Sequence, residues 1–331
     1  MTRQTSPMRH RNRRHLVCAI VGAWLVTAAQ VHAQGVWPTG PIRLVVPYGP
    51  GSTPDIVGRL LAERLQQALG QPVIVDNRVG AAGQIGTEYL ARAAPDGQTL
   101  LLAVSTIAIG PSLRKLPYDV RRDLAPVMLV ISGSYVLLAR PGLGIENLDQ
   151  LVVRAKRQPG QLTYGSFGPG SQVHLAMEML KSALGIDLVH VPYKSLANAM
   201  QALLAGEIDL SFDATVSALP QVRAGRVKPL AVGGLQAVAA LPGVPTIASV
   251  VPGYDADGWE AIFAPAGTAP EIIARLNAEL RRITANPATT ARFRELGFET
   301  RQSTPAELAA LVESDLAKWA KVVHDNKIQV E

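Results

Sequence analysis

Cysteine is almost absent from this sequence. The only cysteine among 331 residues is Cys18, which lies inside an N-terminal apolar run. A single thiol forms no intrachain disulfide, and if that run is removed, no thiol remains for catalysis or metal binding. The fold must therefore rest on an apolar core, which a hydrophobic content of 48% in a chain of this length can supply.

Acidic residues are missing from the first 33 positions, which contain five arginines. The whole chain has 32 basic and 26 acidic residues, so without this segment the net charge falls from +6 to +1. A surface that binds nucleic acid needs a surplus of basic residues. We therefore expect no nucleic-acid partner.

The N-terminal segment has the pattern of a cleavable signal peptide. Its arginines precede an apolar run of 14 residues (16–29), and Val31–Ala33 supplies the small residues that signal peptidase requires. The run is short for a membrane-spanning helix, although a retained N-terminal anchor is the alternative. We expect cleavage after Ala33 and a periplasmic location. The general secretion route is favoured, and Arg13 and Arg14 leave the twin-arginine route open.

Motifs of several enzyme classes are also missing. Neither glycine-rich turn of the chain continues into the Lys-Ser/Thr of a phosphate loop, and no Gly-x-Ser-x-Gly occurs. Beyond the N-terminal segment, the histidines are His174, His190 and His324, which do not have metal-ligand spacing. The sequence therefore predicts no catalytic residue, no metal and no cofactor.

Strand-like and helix-like runs alternate along the rest of the chain. The runs PIRLVVPY (41–48) and PVIVDN (72–77) are apolar and rich in β-branched residues, whereas residues 55–69 have a helical period that Gly70 suits as a stop. This alternation predicts βαβ units and parallel sheets, and hence an α/β fold.

The chain is long enough for two α/β lobes. We expect it to cross between them twice, near residues 127–140 and 255–265, which would create a hinge and a ligand cleft. The predicted division is residues 34–136 plus 255–331 for lobe 1 and residues 137–254 for lobe 2.

The tetrapeptide GPGS occurs twice, at 49–52 and 168–171, each time between a strand-like and a helix-like run. Such a turn presents backbone N–H groups at a helix start, where the helix dipole adds about half a positive charge. We expect Thr53 to cap the first helix and Ser171 the second. One copy in each lobe favours anion binding, and a plain tight turn before a capped helix is the alternative reading.

Longer stretches match one family in order and spacing. They include PIRLVVPYGPGSTPDIVGRLLAERLQQALGQPVIVDNRVGAAGQIG, LTYGSFGPGSQVHLAMEML, IDLVHVPYK, LLAGEIDLSFD and FAPAGTAPEIIARLNAEL. On these stretches the chain resembles, over nearly its whole mature length, the Bug/TctC family of periplasmic solute receptors that serve tripartite tricarboxylate transporters.

The resemblance implies a type II periplasmic-binding-protein fold, a small carboxylate as ligand and membrane transporter subunits as partners. We expect a monomer, because the near-neutral mature chain gives no reason for assembly. The ligand-binding residues implied by the resemblance are Tyr48, Gly51, Ser52, Thr53, Asp55, Ser105, Thr106, Ser166, Gly168, Gly170, Ser171, His174 and Asp213.

The chain departs from the family pattern at the first loop, where Ser52, Thr53 and Pro54 stand in place of further glycine. This narrows the space beside the ligand and leaves its identity open among di- and tricarboxylates, aromatic carboxylates, acidic amino acids and neutral amides. Two other functions stay open at this point. One is an exported enzyme on the same fold, with Asp213 or His174 as a base; the other is a sensory receptor that docks on a membrane histidine kinase.

Overall fold

The computed structural model describes residues 1–2 and 37–330. The predicted signal peptide, residues 1–33, lies outside the described residues apart from Met1 and Thr2, so its cleavage after Ala33 stays a prediction. From residue 40 onward the chain forms one compact unit. No helix of the described part is both long and apolar enough to cross a membrane.

Eleven strands and eleven α-helices make up this unit. The strands are β1 Ile42–Val46, β2 Val73–Asn77, β3 Thr99–Val104, β4 Leu124–Gly133, β5 Tyr135–Ala139, β6 Thr163–Ser166, β7 Val189–Pro192, β8 Leu210–Ala214, β9 Lys228–Val232, β10 Gly258–Pro265 and β11 Glu299–Thr300. The helices are α1 Thr53–Leu69, α2 Gln84–Ala91, α3 Gly110–Leu113, α4 Val120–Asp123, α5 Leu148–Arg157, α6 Gln172–Leu184, α7 Leu196–Ala205, α8 Thr215–Arg223, α9 Pro270–Ala285, α10 Pro287–Glu295 and α11 Pro305–Asp325.

The helix ends follow local sequence chemistry. Gly70 ends α1 in the left-handed conformation (φ 69°), as predicted. Ser171 caps α6, because its side chain accepts a hydrogen bond from the His174 N–H, which was also predicted. The prediction that Thr53 caps α1 was wrong. Ser52 is the N-cap and Thr53 is the first helical residue. Pro54 is then the second helical residue, still within the first turn, where proline is tolerated.

The first sheet has the strand order β11-β4-β10-β3-β1-β2. Strand β1 pairs in parallel with β2 and β3, whereas β10 runs antiparallel between β3 and β4. The second sheet has the order β7-β6-β8-β5-β9, in which β6 pairs in parallel with β7 and β8, and β5 runs antiparallel to both of its neighbours. The chain thus has the predicted two-lobe α/β fold.

The sheets depart from the predicted parallel pairing at the strands that follow the crossings. The chain passes from the first sheet to the second at Ser134, directly between β4 and β5, and returns between Val232 and Gly258. The first strand after each crossing, β5 or β10, runs antiparallel to both of its neighbours. Tyr135 and Val136 already pair in the second sheet, while the division of the chain into lobes at 136 and 254 stays a prediction.

The apolar core joins the two sheets. One cluster of buried side chains includes Leu101 and Ala103 of β3 together with Leu137 of β5 and Phe212 of β8. Strand β10 is buried from Trp259 to its end, since β3 and β4 flank it on both sides. Polar side chains are unusual at the ends of strands that are buried in this way. They mark the position of the candidate site.

Candidate functional site

Two cavities of about 270 and 250 Å³ lie side by side in the described part of the chain. They share a wall made by Tyr48, Val104, Thr106 and Phe167. Cavity one is otherwise lined by loops of the first sheet and by residues 169–171. Cavity two is lined by the start of α1, the start of α6, both crossings and the first turn of α8. Loops of both sheets therefore surround one region.

The first GPGS turn is held closed by Asp55. Its carboxylate accepts hydrogen bonds from the Gly51 N–H (2.9 Å), the Asn77 amide (2.9 Å) and the Arg59 guanidinium (2.9 Å). The bond from Arg59 lowers the pKa of this buried carboxyl to about 2, so Asp55 is ionised at neutral pH. Asp55 therefore supports the loop, and the carboxylate has little remaining capacity for a ligand.

The second GPGS turn is closed by an equivalent hydrogen bond to a different residue. The Gly170 N–H donates to Nδ1 of His174 (3.1 Å), which stands four residues further on as Asp55 does from Gly51. Ser166 lies against His190 (Oγ to Nε2, 2.6 Å) and accepts from the Gly168 N–H (3.0 Å). Neutral side chains therefore brace this turn.

The histidines of this turn belong to a stack of rings. His174 lies 4.2 Å from His190, and His190 lies 5.0 Å from Tyr164, measured between ring centroids. Burial lowers the pKa of both imidazoles, and for His190 the adjacent His174 adds to this and brings it to about 4. Both rings are therefore neutral at pH 7, as the hydrogen bond that His174 accepts requires.

In each tetrapeptide the backbone N–H groups of the second glycine and of the serine already have acceptors within the protein. The Ser52 N–H donates to Gly49 and the Ser171 N–H to Gly168. The backbone N–H groups of Thr53 and Gln172, the first helical residues, have no hydrogen-bond acceptor among the described residues, and both residues line cavity two. The backbone donors left unpaired in residues that line the cavity are thus at the helix starts, whereas those of the turns are used within the protein.

The thirteen predicted ligand residues separate into two groups. Those that line a cavity are Tyr48, Thr53, Ser105, Thr106, Gly170 and Ser171. Those that line neither cavity are Gly51, Ser52, Asp55, Ser166, Gly168, His174 and Asp213. The second group mostly supports the turns, and ligand binding by any of the thirteen stays a prediction.

A buried hydrogen-bond chain joins the two sheets at cavity two. The Ser105 hydroxyl donates to Oε1 of Gln172 (2.6 Å), and Nε2 of Gln172 donates to the backbone carbonyls of Ala256 (3.2 Å) and Asp257 (3.1 Å). Ser105 follows β3, Gln172 opens α6 and residues 256–257 belong to the returning crossing. This one side chain therefore links both sheets and the second crossing.

The chain matches the family model described as "Tripartite tricarboxylate transporter family receptor" over residues 57–328. The chain belongs to this family. Protein BugT of Bordetella pertussis is 35% identical over 314 residues, which span 93% of this chain and 96% of BugT. The family consists of periplasmic solute receptors, so this protein is a receptor and not an enzyme.

Solved structures agree with this assignment. R. palustris Rpa4515 with adipate is 33% identical, covers 88% of this chain and 99% of its own, and superposes with a TM-score of 0.76. MatC from Rhodopseudomonas palustris with bound malate is 31% identical, covers 87% of this chain and 100% of its own, and has a TM-score of 0.72. These neighbours support the two-lobe α/β fold.

One residue of the candidate site was not predicted from the sequence. Glu260 lines cavity two from β10, is 6% exposed, and its Oε2 has no hydrogen-bond partner among the described residues. Burial raises the pKa of this carboxyl to about 8. The available clue was a lone acid in the apolar run WEAIFAP, which sequence reasoning assigned to an extended crossing segment.

Asp213, at the end of β8, is a second buried acid. Its Oδ1 accepts hydrogen bonds from the Ala214 N–H (2.8 Å) and the Ser217 hydroxyl (2.6 Å), whereas Oδ2 has no partner in the described part of the receptor. Burial raises its pKa to about 6. Among the described residues no group of acidic, histidine or cysteine side chains is arranged to hold a metal ion.

Proposed function

We propose that the receptor captures a small organic carboxylate in a cleft between its two lobes and delivers it to the membrane subunits of a tripartite transporter. In this proposal the protein acts in the periplasm after cleavage behind Ala33. The observation that carries it is the meeting of two helix starts at cavity two. The unpaired N–H groups of Thr53 and Gln172 belong to residues that line this one cavity from different sheets.

Helix starts suit a carboxylate for a physical reason. Their free N–H groups and the helix dipole both favour negative charge, and no basic side chain is needed. The hydroxyl of Thr106, which already contacts the Tyr48 hydroxyl (2.9 Å), lies in the wall shared by both cavities and can add a donor. Two relatives whose structures contain adipate and malate support the same chemical class.

Enclosure by both lobes strengthens such binding. When water leaves the cleft, hydrogen bonds from backbone N–H groups to a carboxylate act in a medium of lower polarity. The bond between Ser105 and Gln172 joins the lobes at that point. Capture therefore needs no chemical step, which fits a receptor.

The test begins with the melting temperature of the purified protein across a panel of small carboxylates, after unfolding and refolding to remove carried-over ligand. At 100 times the dissociation constant, binding adds about 2.7 kcal/mol of stability, which is a shift of a few degrees. A flat response to all carboxylates contradicts the proposal. Uptake of the active ligand by cells, which we expect to be lost without the receptor, tests delivery.

Thr53→Pro sharpens the test, because proline removes only the N–H of the first helical position, where it is well tolerated. We expect at least a tenfold loss of affinity at an unchanged fold. Thr53→Ala, which keeps the N–H, is the matched control and should bind much more tightly than Thr53→Pro. Equal affinities for the two variants would show that this N–H does not hold the carboxylate.

A further inference from the structure

Cavity two has an unusual composition for a site that receives an anion. Among the residues that line it, Glu260 has the only carboxyl group, and none has a basic side chain. Arg114, in contrast, lines cavity one. The end of the ligand that reaches Glu260 therefore meets an acid rather than a base.

Glu260 is fixed in this position by the sheet. Its backbone pairs with Val104 on β3 and with Ile131 on β4, so strands hold it on both sides. The residue is 6% exposed, and its Oε2 has no hydrogen-bond partner among the described residues. A buried acceptor without a partner costs free energy unless a ligand group satisfies it.

Aromatic side chains line the same cavity. Only 5% of the chain is aromatic, yet the lining of cavity two includes Tyr48, Tyr135, Phe167 and Phe298. The faces of aromatic rings attract cations, most strongly where water is excluded. A wall that contains an acid and aromatic rings, without a base, is a combination suited to an ammonium group.

Two further acids lie near the same cavity. Asp257, on the returning crossing, is hydrogen-bonded to Ser134, which lines cavity two. Both Asp213 and Asp257 act electrostatically on Tyr135, as does Glu260. The carboxylates of Asp213 and Asp257 would repel a second ligand carboxylate at Glu260, whereas they would attract an ammonium group, which would also favour the ionised form of Glu260. Cavity two does not suit a metal ion, because its wall contains one carboxylate and hard cations bind several oxygen ligands.

Building on the proposed function, we propose that Glu260 and the aromatic rings of cavity two form a subsite for an ammonium group. The ligand is then a small carboxylate that also carries a positively charged nitrogen. Its carboxylate lies at the helix starts of Thr53 and Gln172, and its nitrogen lies at Oε2 of Glu260. This subsite separates amino carboxylates from plain dicarboxylates.

A matched set of ligands tests the subsite. Pentanoate, 4-aminobutyrate and glutarate share a carboxylate and three methylene groups and differ only in the far group, which is methyl, ammonium or carboxylate. We expect calorimetry on the refolded wild-type protein to show at least tenfold tighter binding of 4-aminobutyrate than of the other two. Analogues with two to five methylene groups vary the distance between the carboxylate and the far group. The trimethylammonium analogue tests whether the subsite binds a primary or a quaternary ammonium group.

Glu260→Gln removes the acid at constant shape, and Glu63→Gln makes the same change at an exposed position of α1 as a control. We expect Glu260→Gln to lose the preference for ammonium, so that it binds 4-aminobutyrate no more tightly than pentanoate. Glu63→Gln should retain the preference.

The outcomes separate this inference from the function on which it rests. If the wild-type protein prefers dicarboxylates, or if Glu260→Gln keeps the ammonium preference, the subsite is wrong and the carboxylate receptor stands. If the wild-type protein binds none of the carboxylates of any length, both proposals fail.

Discussion

The two GPGS turns share four residues and a positive φ at the second glycine, Gly51 or Gly170, but differ in what closes them. In the first turn the Gly51 N–H donates to a carboxylate, Asp55, which Arg59 and Asn77 also bind. In the second the Gly170 N–H donates to a neutral imidazole, His174. The same local sequence is therefore stabilised by an ionised carboxylate in one lobe and by a neutral imidazole in the other.

The capping serines differ as well. Ser171 caps α6, whereas Ser52 makes no side-chain cap, and its buried hydroxyl has no partner among the described residues. The first turn therefore holds one hydroxyl that the described residues do not satisfy, whereas the matching hydroxyl of the second turn is used as a helix cap.

Asparagine at either closing position, Asp55 or His174, should give the largest difference in stability between the two turns. Asp55→Asn removes the charge that pairs with Arg59 and leaves an amide N–H among donors, so we expect it to lower the free energy of unfolding by about 3 kcal/mol. His174→Asn keeps an acceptor near Nδ1 for Gly170 and should cost about 1 kcal/mol. Urea unfolding of both variants measures the difference. Equal losses would mean that the first turn gains nothing from its charge.

The pH dependence of stability should also separate the turns. The folded pKa of His190 is lowered to about 4 from an ordinary value of 6.5, so its neutral form stabilises the fold above pH 6.5. This contribution is lost as the pH falls from 6.5 to 4, whereas Asp55, with a pKa of about 2, stays ionised over that window.

We therefore expect the wild-type protein to lose about 2 kcal/mol more stability than His190→Gln between pH 7 and pH 4.5. The variant cannot take up the proton and keeps a neutral polar group beside Ser166. Melting temperatures across this range provide the measurement, since other acids titrate alike in both proteins. Parallel curves of melting temperature against pH for the two proteins would show that His190 does not cause the loss of stability.

The smallest expected effect lies in the two serines. Ser171→Ala removes a helix cap and should lower the free energy of unfolding by about 1 kcal/mol. Ser52→Ala removes a buried hydroxyl without a partner, so its cost should be near zero or slightly negative. The reverse order in the same unfolding assay would contradict the assignment of caps.

Sequence reasoning predicted the parts that depend on local pattern. The alternating runs gave the α/β fold, Gly70 ended its helix, and Ser171 was recognised as a cap. The family resemblance was confirmed by the match over residues 57–328. These features depend on neighbours in the chain, which is why sequence alone could reach them.

The parts that sequence reasoning missed depend on contacts across long distances. Glu260 stands in an apolar run, and only the pairing of β10 with β3 and β4 shows that it is buried at a cavity. The closing role of Asp55, on α1, depends on Asn77, which lies on β2. The antiparallel course of β5 and β10 depends on pairing with strands distant in the sequence, and the alternation of runs does not encode it.

A crystal structure of the protein with the tightest-binding carboxylate of the panel would show directly where the carboxylate binds. We expect a carboxylate oxygen at about 3 Å from the backbone nitrogen of Thr53, at the wall of cavity two. We also expect the Gly51 and Gly170 N–H groups to keep their bonds to Asp55 and His174. A carboxylate bound to those glycine N–H groups, or beside Arg114 in cavity one, would contradict this expectation.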